Sequence, residues 1–475
     1  MNTIFSPTLM EALKTALADA GRAKFQGLAN GLDSAIRGGV LEKGQKLPPV
    51  RDLAWQLGVT PGTVARAYSQ LIDAGLLTAG VGKGTFVADA EAGRAPAKAR
   101  SSGFLGAIDD AAINLQTPRI PDAGQSELIR AAMQEFASTA DLTQIIGYPN
   151  HAREAAYRAD IARWVAQAPV GACSADDIVL TQGGQAGIMA VLQAVLTGPD
   201  PVILIEELTY SGFRRAAQLC RARVVTIPSD EAGPIPQALE EAIREHGGQI
   251  FCTSSEVCNP TTRMTTLQRR IEIVEVVKRC GIHVLDDDCY RIGPSEGPSY
   301  RALLPQHGWY ITSPSKNMSA ALRVGAALAP DGWQSALERS VQNASFGVAL
   351  PMVAVAAKVL ADPRFVEVSR ALEVEIAERV KVAVNHLGRY QLSWRPDVPF
   401  LWLDLPSGWR VPSFLRAAEM EGVLLKGADD FTPREGRAIQ AVRIAVNCWV
   451  SRERFEDGMR KLAKILDTPE AAIAV

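Results

Sequence analysis

Apolar residues recur three and four apart over Leu9–Leu17, and again at Leu28, Leu32, Ala35 and Ile36. Both patterns predict amphipathic helices, the second stopping at Gly38-Gly39. A third helix is expected to begin at Pro48-Pro49 within Lys46–Gly58, since proline suits a first turn. A fourth runs through Val64, Tyr68, Leu71 and Ile72 to an end near Gly75, with Thr60 as its N-cap. Leu76–Val87 reads as a hairpin with glycines about a tip at Lys83. Residues 89–112 are rich in Ala, Gly and Ser and have no periodicity, which predicts a flexible linker. From Ile113 onward the pattern changes to short continuous apolar runs. These are Ile178–Thr181, Val202–Glu206, Ile250–Ser255, Ile282–Leu285, Trp309–Thr312, Phe400–Leu405 and Val442–Val446. Between them lie stretches of helical period: Ala186–Leu196, Thr266–Arg279 with Gly281 as its stop, and Val366–Leu387. Buried strands alternating with helices predict an α/β domain, followed by a smaller C-terminal α/β subdomain.

Helix, helix, short turn, helix, hairpin is a winged helix-turn-helix, so residues 1–88 predict a DNA-binding module. The 475-residue chain has 50 Lys or Arg against 52 Asp or Glu, a net charge of −2 with no global nucleic-acid signature. Counted by region, residues 1–88 hold nine basic and six acidic residues (+3), leaving −5 for the remainder. That asymmetry is modest and has the sign DNA binding requires. The seven cysteines form no C-x-x-C pair and the five histidines are scattered, so neither a disulfide framework nor a metal site is expected. With no signal-peptide pattern and no apolar run of membrane-spanning length, a cytoplasmic protein without membrane contact is expected.

The chemistry gathers behind three of the strands. Trp309–Thr312 ends in Ser313-Pro314-Ser315-Lys316, with Arg323 seven residues beyond the lysine. An ammonium just past a buried strand is costly to desolvate, unless the amine is neutralised as an imine with an aldehyde. Ile250–Ser255 releases Asn259, and Ile282–Leu285 releases Asp287 and Tyr290. The spacings Asn259 to Asp287 and Asp287 to Lys316 leave room for one crossover helix each, and α/β sheets bind ligands at the carboxyl ends of their strands. A carboxylate for a pyridine nitrogen, an amide and a phenol for a ring oxygen, a lysine for an aldehyde and an arginine for a phosphate describe pyridoxal 5'-phosphate. Here the chain resembles the fold-type I pyridoxal-phosphate aminotransferases, over roughly residues 113–475. Their N-P-x-G, D-x-x-Y and S-x-x-K-x6-R motifs correspond to Asn259–Thr262, Asp287–Tyr290 and Ser313–Lys316 with Arg323, with Thr262 standing where the family often has glycine. The resemblance implies that Ser313, Ser315 and the Gly183-Gly184-Gln185 loop serve the phosphate and that Tyr210 stacks on the ring. It further implies that Tyr148 reaches the cofactor phosphate of a neighbouring subunit and that Arg443 grips a substrate carboxylate.

Leu47–Ala54, Gly58–Val64 and Gly82–Val87 match the L-P-x-x-R-x-L-A, G-V-(S/T)-x-x-T-V and G-x-G-T-F-V marks of the GntR family of bacterial repressors. That resemblance implies DNA contacts from Arg51, Thr60, Thr63 and Lys83, with Arg66 beside Ala65, where relatives place an operator-reading arginine. The combined order resembles the MocR-type regulators. It implies a regulator of transcription that binds an operator in double-stranded DNA as a head-to-tail homodimer. A small amino-compound effector would be sensed through imine exchange at Lys316. Two alternatives stay open: a working aminotransferase with an appended DNA-binding domain, and a DNA-binding protein with an inert scaffold.

Overall fold

The computed structural model describes residues 5–19, 24–42, 44–73, 76–80, 84–88, 112–433 and 438–468. The chain divides into two compact units, residues 1–108 and 109–475. The expected hairpin tip Lys83 and the expected linker over residues 89–112, apart from Ala112, lie outside the described residues.

The first unit holds α1 (Pro7–Asp19), α2 (Lys24–Arg37), α3 (Val50–Leu57), α4 (Pro61–Asp73) and the hairpin β1 (Leu77–Gly80) and β2 (Gly84–Val87). Leu9, Leu13 and Leu17 of α1 share one core with Leu28, Leu32, Leu53, Val64 and Leu71, so α1 packs as part of the module. Gly58 takes a left-handed conformation (φ 67°) that ends α3, and Thr60 accepts from the Thr63 amide at 3.3 Å to start α4. Ahead of the helix, Lys46-Leu47 take a part that the sequence did not predict: Leu47 N donates to Thr85 O and Val87 N to Gln45 O, so this stretch forms a third edge beside β2. Pro49 keeps an extended backbone (φ −54°, ψ 146°) and is the N-cap, so the helix enters at Val50 rather than at the prolines.

The second unit is built on a seven-stranded sheet. Its strands are β3 (Val179–Thr181), β4 (Val202–Glu206), β5 (Arg223–Ile227), β6 (Ile250–Thr253), β7 (His283–Asp287), β8 (Gly308–Thr312) and β9 (Gly325–Leu328). Their order in space is β3-β9-β8-β7-β6-β4-β5, with β9 antiparallel to both its neighbours and the other pairs parallel. The core strands are buried on both faces, as parallel sheets require. Between strands lie α5 (Gly184–Val195), α6 (Ser211–Leu219) and α7 (Leu267–Cys280), the last capped by Thr266 and stopped by Gly281. The β7–β8 crossover departs from the expected full helix: residues 288–307 contain only the one-turn helix Tyr300–Leu303. Gly293-Pro294 and Gly297-Pro298 deny that stretch a longer helix. Strand β7 also extends past Leu285, with Asp286 and Asp287 paired to Tyr310 and Ile311. After the long helix α8 (Arg364–Leu387) comes a four-stranded antiparallel sheet. It comprises β10 (Leu392–Ser393), β11 (Phe400–Asp404), β12 (Lys426–Gly427) and β13 (Ala441–Ala445), in the order β10-β11-β13-β12. The segment Ile113–Leu115 lies against this subdomain, with Ile113 N donating to Gly422 O and Leu115 N to Leu424 O.

Among the described residues, no helix is long and apolar enough to cross a membrane, and no group of His, Cys, Asp or Glu could hold a metal ion.

Candidate functional site

Strands β6, β7 and β8 lie side by side and parallel, so their carboxyl ends open at one edge of the sheet. Strand β7 ends in three successive aspartates with separate fates. Asp286 accepts from Ser255 N and Oγ (3.0 and 2.8 Å), and Asp288 accepts from Tyr310 Oη (2.5 Å) and Arg291 Nε (2.7 Å). Asp287 points to the opposite face, because side chains alternate along a strand. There it is buried, and the contact to its carboxylate is the Cys289 amide at 3.1 Å. Burial pushes its carboxyl up to about 6 against the hydrogen bonds from Cys289, and among the described residues it makes no ion pair.

Beyond β8, Ser313 caps a 3-10 turn, Pro314–Lys316, and its hydroxyl donates to Val324 O at 2.8 Å. The Ser315 hydroxyl is 2.7 Å from it. With its proton committed to Val324, Ser313 shapes the turn that presents Lys316. The lysine Nζ sits 5.1 Å from the centre of the Tyr290 ring. Tyr210 belongs to the same neighbourhood: burial raises its phenol, and Tyr290, Asp287 and Cys289 add to the effect. Gln185 lies inside the first turn of α5, which starts at Gly184, two residues ahead of the expected Ala186. Its amide accepts from Tyr210 Oη (3.0 Å) and donates to Gly212 O (3.1 Å), so it positions the tyrosine.

At the start of α5, Gly183 has φ 76°, and a Cβ there would meet Arg323 Nη2 at 2.6 Å. A side chain at position 183 would therefore displace the arginine. Arg323 itself holds a left-handed backbone (φ 53°) and donates to Gln182 O at 3.0 Å, which leaves its exposed guanidinium beside a helix N-terminus. A guanidinium and free amides at a helix start are suited to a phosphate. Lysine, buried carboxylate, two phenols and this anion cradle together fit pyridoxal phosphate, whose pyridinium would supply the cation that Asp287 lacks.

Asn259 is buried and accepts from Arg443 Nη1 at 2.7 Å. Arg443, on β13, also donates from Nη2 to Gln116 O at 2.6 Å and lies over the rings of Phe431 (4.8 Å) and Phe400 (5.4 Å). Burial lowers its affinity for the proton, Tyr290 opposes that shift, and among the described residues its Nε has no hydrogen-bond partner. Among the described residues, no carboxylate makes ion-pair contact with it. Among those residues an internal salt bridge does not account for this arginine. Thr262 keeps the left-handed turn that glycine would favour: φ is 63°, and its amide donates to Cys258 O at 2.8 Å. Tyr148 is not brought to this cluster within the chain. It is 77% exposed and stacks on Phe346 (5.7 Å), itself 66% exposed. Cys289 and Gln116 went unnoticed in the sequence, the first hidden within D-x-x-Y and the second acting through its backbone.

In the first unit, Arg51 on α3 and Arg66 on α4 are exposed, and Thr60 and Thr63 share a 3.0 Å hydroxyl contact at the start of α4. Val64, Ala67, Tyr68 and Leu71 face the core, so the solvent face of α4 presents Gly62, Ala65, Arg66 and Ser69. The Tyr68 hydroxyl anchors α4 to Pro48 O at 2.9 Å.

The aminotransferase class I and II family matches residues 111–449, and the bacterial regulatory proteins of the gntR family match residues 25–87. The chain belongs to the class I and II aminotransferase family. A GntR helix-turn-helix domain precedes that aminotransferase domain. Among similar proteins is the uncharacterized HTH-type transcriptional regulator YdeF of Bacillus subtilis, 26% identical over 456 residues and covering 96% of each chain. The probable rhizopine catabolism regulatory protein MocR of Rhizobium meliloti is 25% identical, covering 76% of this chain and 77% of its own. Among solved structures, an archaeal alanine:glyoxylate aminotransferase superposes with a TM-score of 0.67 at 22% identity, over 75% of this chain and 91% of that one. This last likeness is one of fold.

Proposed function

We propose that the chain is a DNA-binding regulator of transcription whose second unit holds pyridoxal phosphate and senses a small amino acid by exchange at the Lys316 amine. The carrying observation is Arg443: a buried guanidinium beside the cofactor cluster, held by the neutral oxygens of Asn259 and Gln116 with Tyr290 in reach, and without an ion-pair partner among the described residues. A guanidinium desolvated without an anion holds its affinity in reserve for a carboxylate. Pyridoxal phosphate supplies an aldehyde that reacts with amines and a ring that takes up electrons. Lys316 would hold its aldehyde, Asp287 its ring nitrogen, Asn259 and Tyr290 its ring oxygen, and Tyr210 its face. Arg323, Ser315 and the Gly183-Gly184 turn would hold its phosphate.

A carboxylate that takes Arg443 competes with the Gln116 carbonyl. Gln116 belongs to the segment that directly follows residues 89–111, which join the two domains in sequence. Loss of that bond is a route by which effector binding reaches the DNA-binding domain as a change between two states. Arg51, Thr60, Thr63, Arg66 and Lys83 would contact a duplex operator. The exposed Tyr148 and Phe346 pair suits burial in a head-to-tail homodimer, where Tyr148 would meet the partner subunit's cofactor. Such a regulator acts in the cytoplasm.

The test titrates amino acids against the cofactor absorbance of the purified protein and repeats operator binding with any compound that responds. A compound that shifts the spectrum and changes operator affinity supports the reading. Spectral change with no effect on DNA binding, together with steady keto-acid formation, favours an aminotransferase instead. That second reading draws on the complete set of Lys316, Asp287, Tyr290 and Arg443.

A further inference from the structure

Arg443 is not the only cation at this edge of the subdomain. Lys426 on β12 is the direct cross-strand partner of Arg443 on β13, and Trp402 on β11 is its partner on the other side. Directly opposed residues project from the same face of a sheet, at side-chain separations of about 5 Å. Lys426 is half-buried, and among the described residues it has no hydrogen-bond or ion-pair partner. Burial lowers its affinity for the proton, and the charges of Arg443 and Arg215 lower it further. Arg215, on α6, is also half-buried and also lacks a hydrogen-bond or ion-pair partner among the described residues. It follows Arg214, whose guanidinium reaches the backbone of Asp430 and Thr432, so this part of α6 lies against the segment just after β12, and the charge of Arg215 is felt at Tyr210.

The surroundings offset the group only in part. Arg214 is committed to the backbone carbonyls of Thr432 and of Asp430, the latter at 2.6 Å. The Asp430 carboxylate is exposed and makes no ion pair among the described residues, although its charge favours both Lys426 and Arg443. Like charges gathered in a half-buried corner repel, and the arrangement is costly unless an anion enters it. One anion is accounted for by Arg443. Two cations remain.

We propose that Lys426 and Arg215 form a second anion subsite beside Arg443, so that the effector is an amino dicarboxylate rather than a neutral amino acid. The inference rests on the reading of Arg443 as the first carboxylate site. The α-carboxylate lies on Arg443 next to Lys316, and the distal acid lies one strand away on Lys426, with Arg215 closing from α6. No bond is made or broken at the second subsite; it acts through charge and selects among amino acids.

The test uses full-length, cofactor-loaded protein and two matched pairs of probes. L-glutamate and L-glutamine are titrated against cofactor absorbance, and glutarate and valerate, which lack an amine, are compared by thermal unfolding. Glutamate is expected to bind at least about tenfold more tightly than glutamine, the size of one charge-assisted hydrogen bond. Glutarate is expected to raise Tm more than valerate does at equal concentration. In the double variant Lys426→Gln, Arg215→Gln both preferences should fall toward one, and Lys426→Arg should retain them. Equal responses within both pairs overturn the subsite, as do preferences that survive the double variant. Discrimination of glutarate with no spectral response to either amino acid leaves the second subsite standing and removes the amine-exchange reading.

Discussion

The two domains use charge in opposite ways. In the helix-turn-helix domain, Arg51 and Arg66 stand in water at no desolvation cost, where on the proposed reading they would neutralise operator phosphates one at a time. In the aminotransferase domain, Arg443 and Asp287 are buried without an ion-pair partner among the described residues. The first arrangement gives contacts that are weak, additive and screened by salt. The second gives a site whose empty state is strained electrostatically and whose ligands relieve that strain, so single substitutions there have large consequences. On the proposed reading, a sensing site gains specificity from charges the fold leaves unpaired, whereas a DNA-reading surface gains it from a rigid frame beneath solvated charges.

The sharpest break would come at Lys316. Lys316→Ala should abolish the borohydride-reducible cofactor adduct on its peptide, as mass spectrometry would detect; an adduct on another lysine would move the site elsewhere. Next in size is Arg443→Ala. Truncating one partner of a desolvated charge pair costs about 2–5 kcal/mol, so affinity for amino acids should drop by roughly 30-fold or more while the cofactor stays loaded. Titration of cofactor absorbance measures it, and unchanged affinity would make Arg443 structural.

Asp287→Asn should act in the opposite direction on the cofactor-free protein. With its folded value near 6 against an ordinary 3.8, the buried carboxyl keeps a proton that the unfolded chain releases. Stability is therefore highest below about 4, falls as pH rises to about 6, and carries the full deficit above that. The asparagine variant should be about 2–3 kcal/mol more stable at neutral pH, with a flatter profile between those limits, by denaturant titration. A loaded protein should lose that advantage, since a pyridinium facing Asp287 reverses the sign.

Smaller effects are expected in the helix-turn-helix domain. Tyr68→Phe leaves the buried Pro48 carbonyl unpaired and should cost about 1 kcal/mol, lowering one thermal transition and leaving the aminotransferase transition in place. A shift in both transitions would show that the two domains unfold together. Smallest is Arg51→Ala, which should weaken operator binding and reduce the slope against log salt by about one unit. An unchanged slope would remove Arg51 from the DNA contacts.

The sequence by itself determined the helix-turn-helix almost completely. Its stops and caps, Gly58 and Thr60 among them, are local, and each acts within a few residues of its own position. It also located the strand ends that carry Asn259, Asp287 and Lys316, because buried parallel strands read as continuous apolar runs. What it left open was direction and partnership. Three aspartates in a row look alike in sequence; alternation along β7 turned Asp287 to one face and tied Asp286 and Asp288 into the other. The Gly183–Arg323 contact, and the bond from Arg443 to a Gln116 carbonyl 327 positions away, exist only once the chain has closed. Lys426 beside Arg443 follows from antiparallel register, which no periodicity along one strand encodes. Periodicity records which face of an element is buried; which charges then meet, and which are left without a partner, is decided by how distant elements pack.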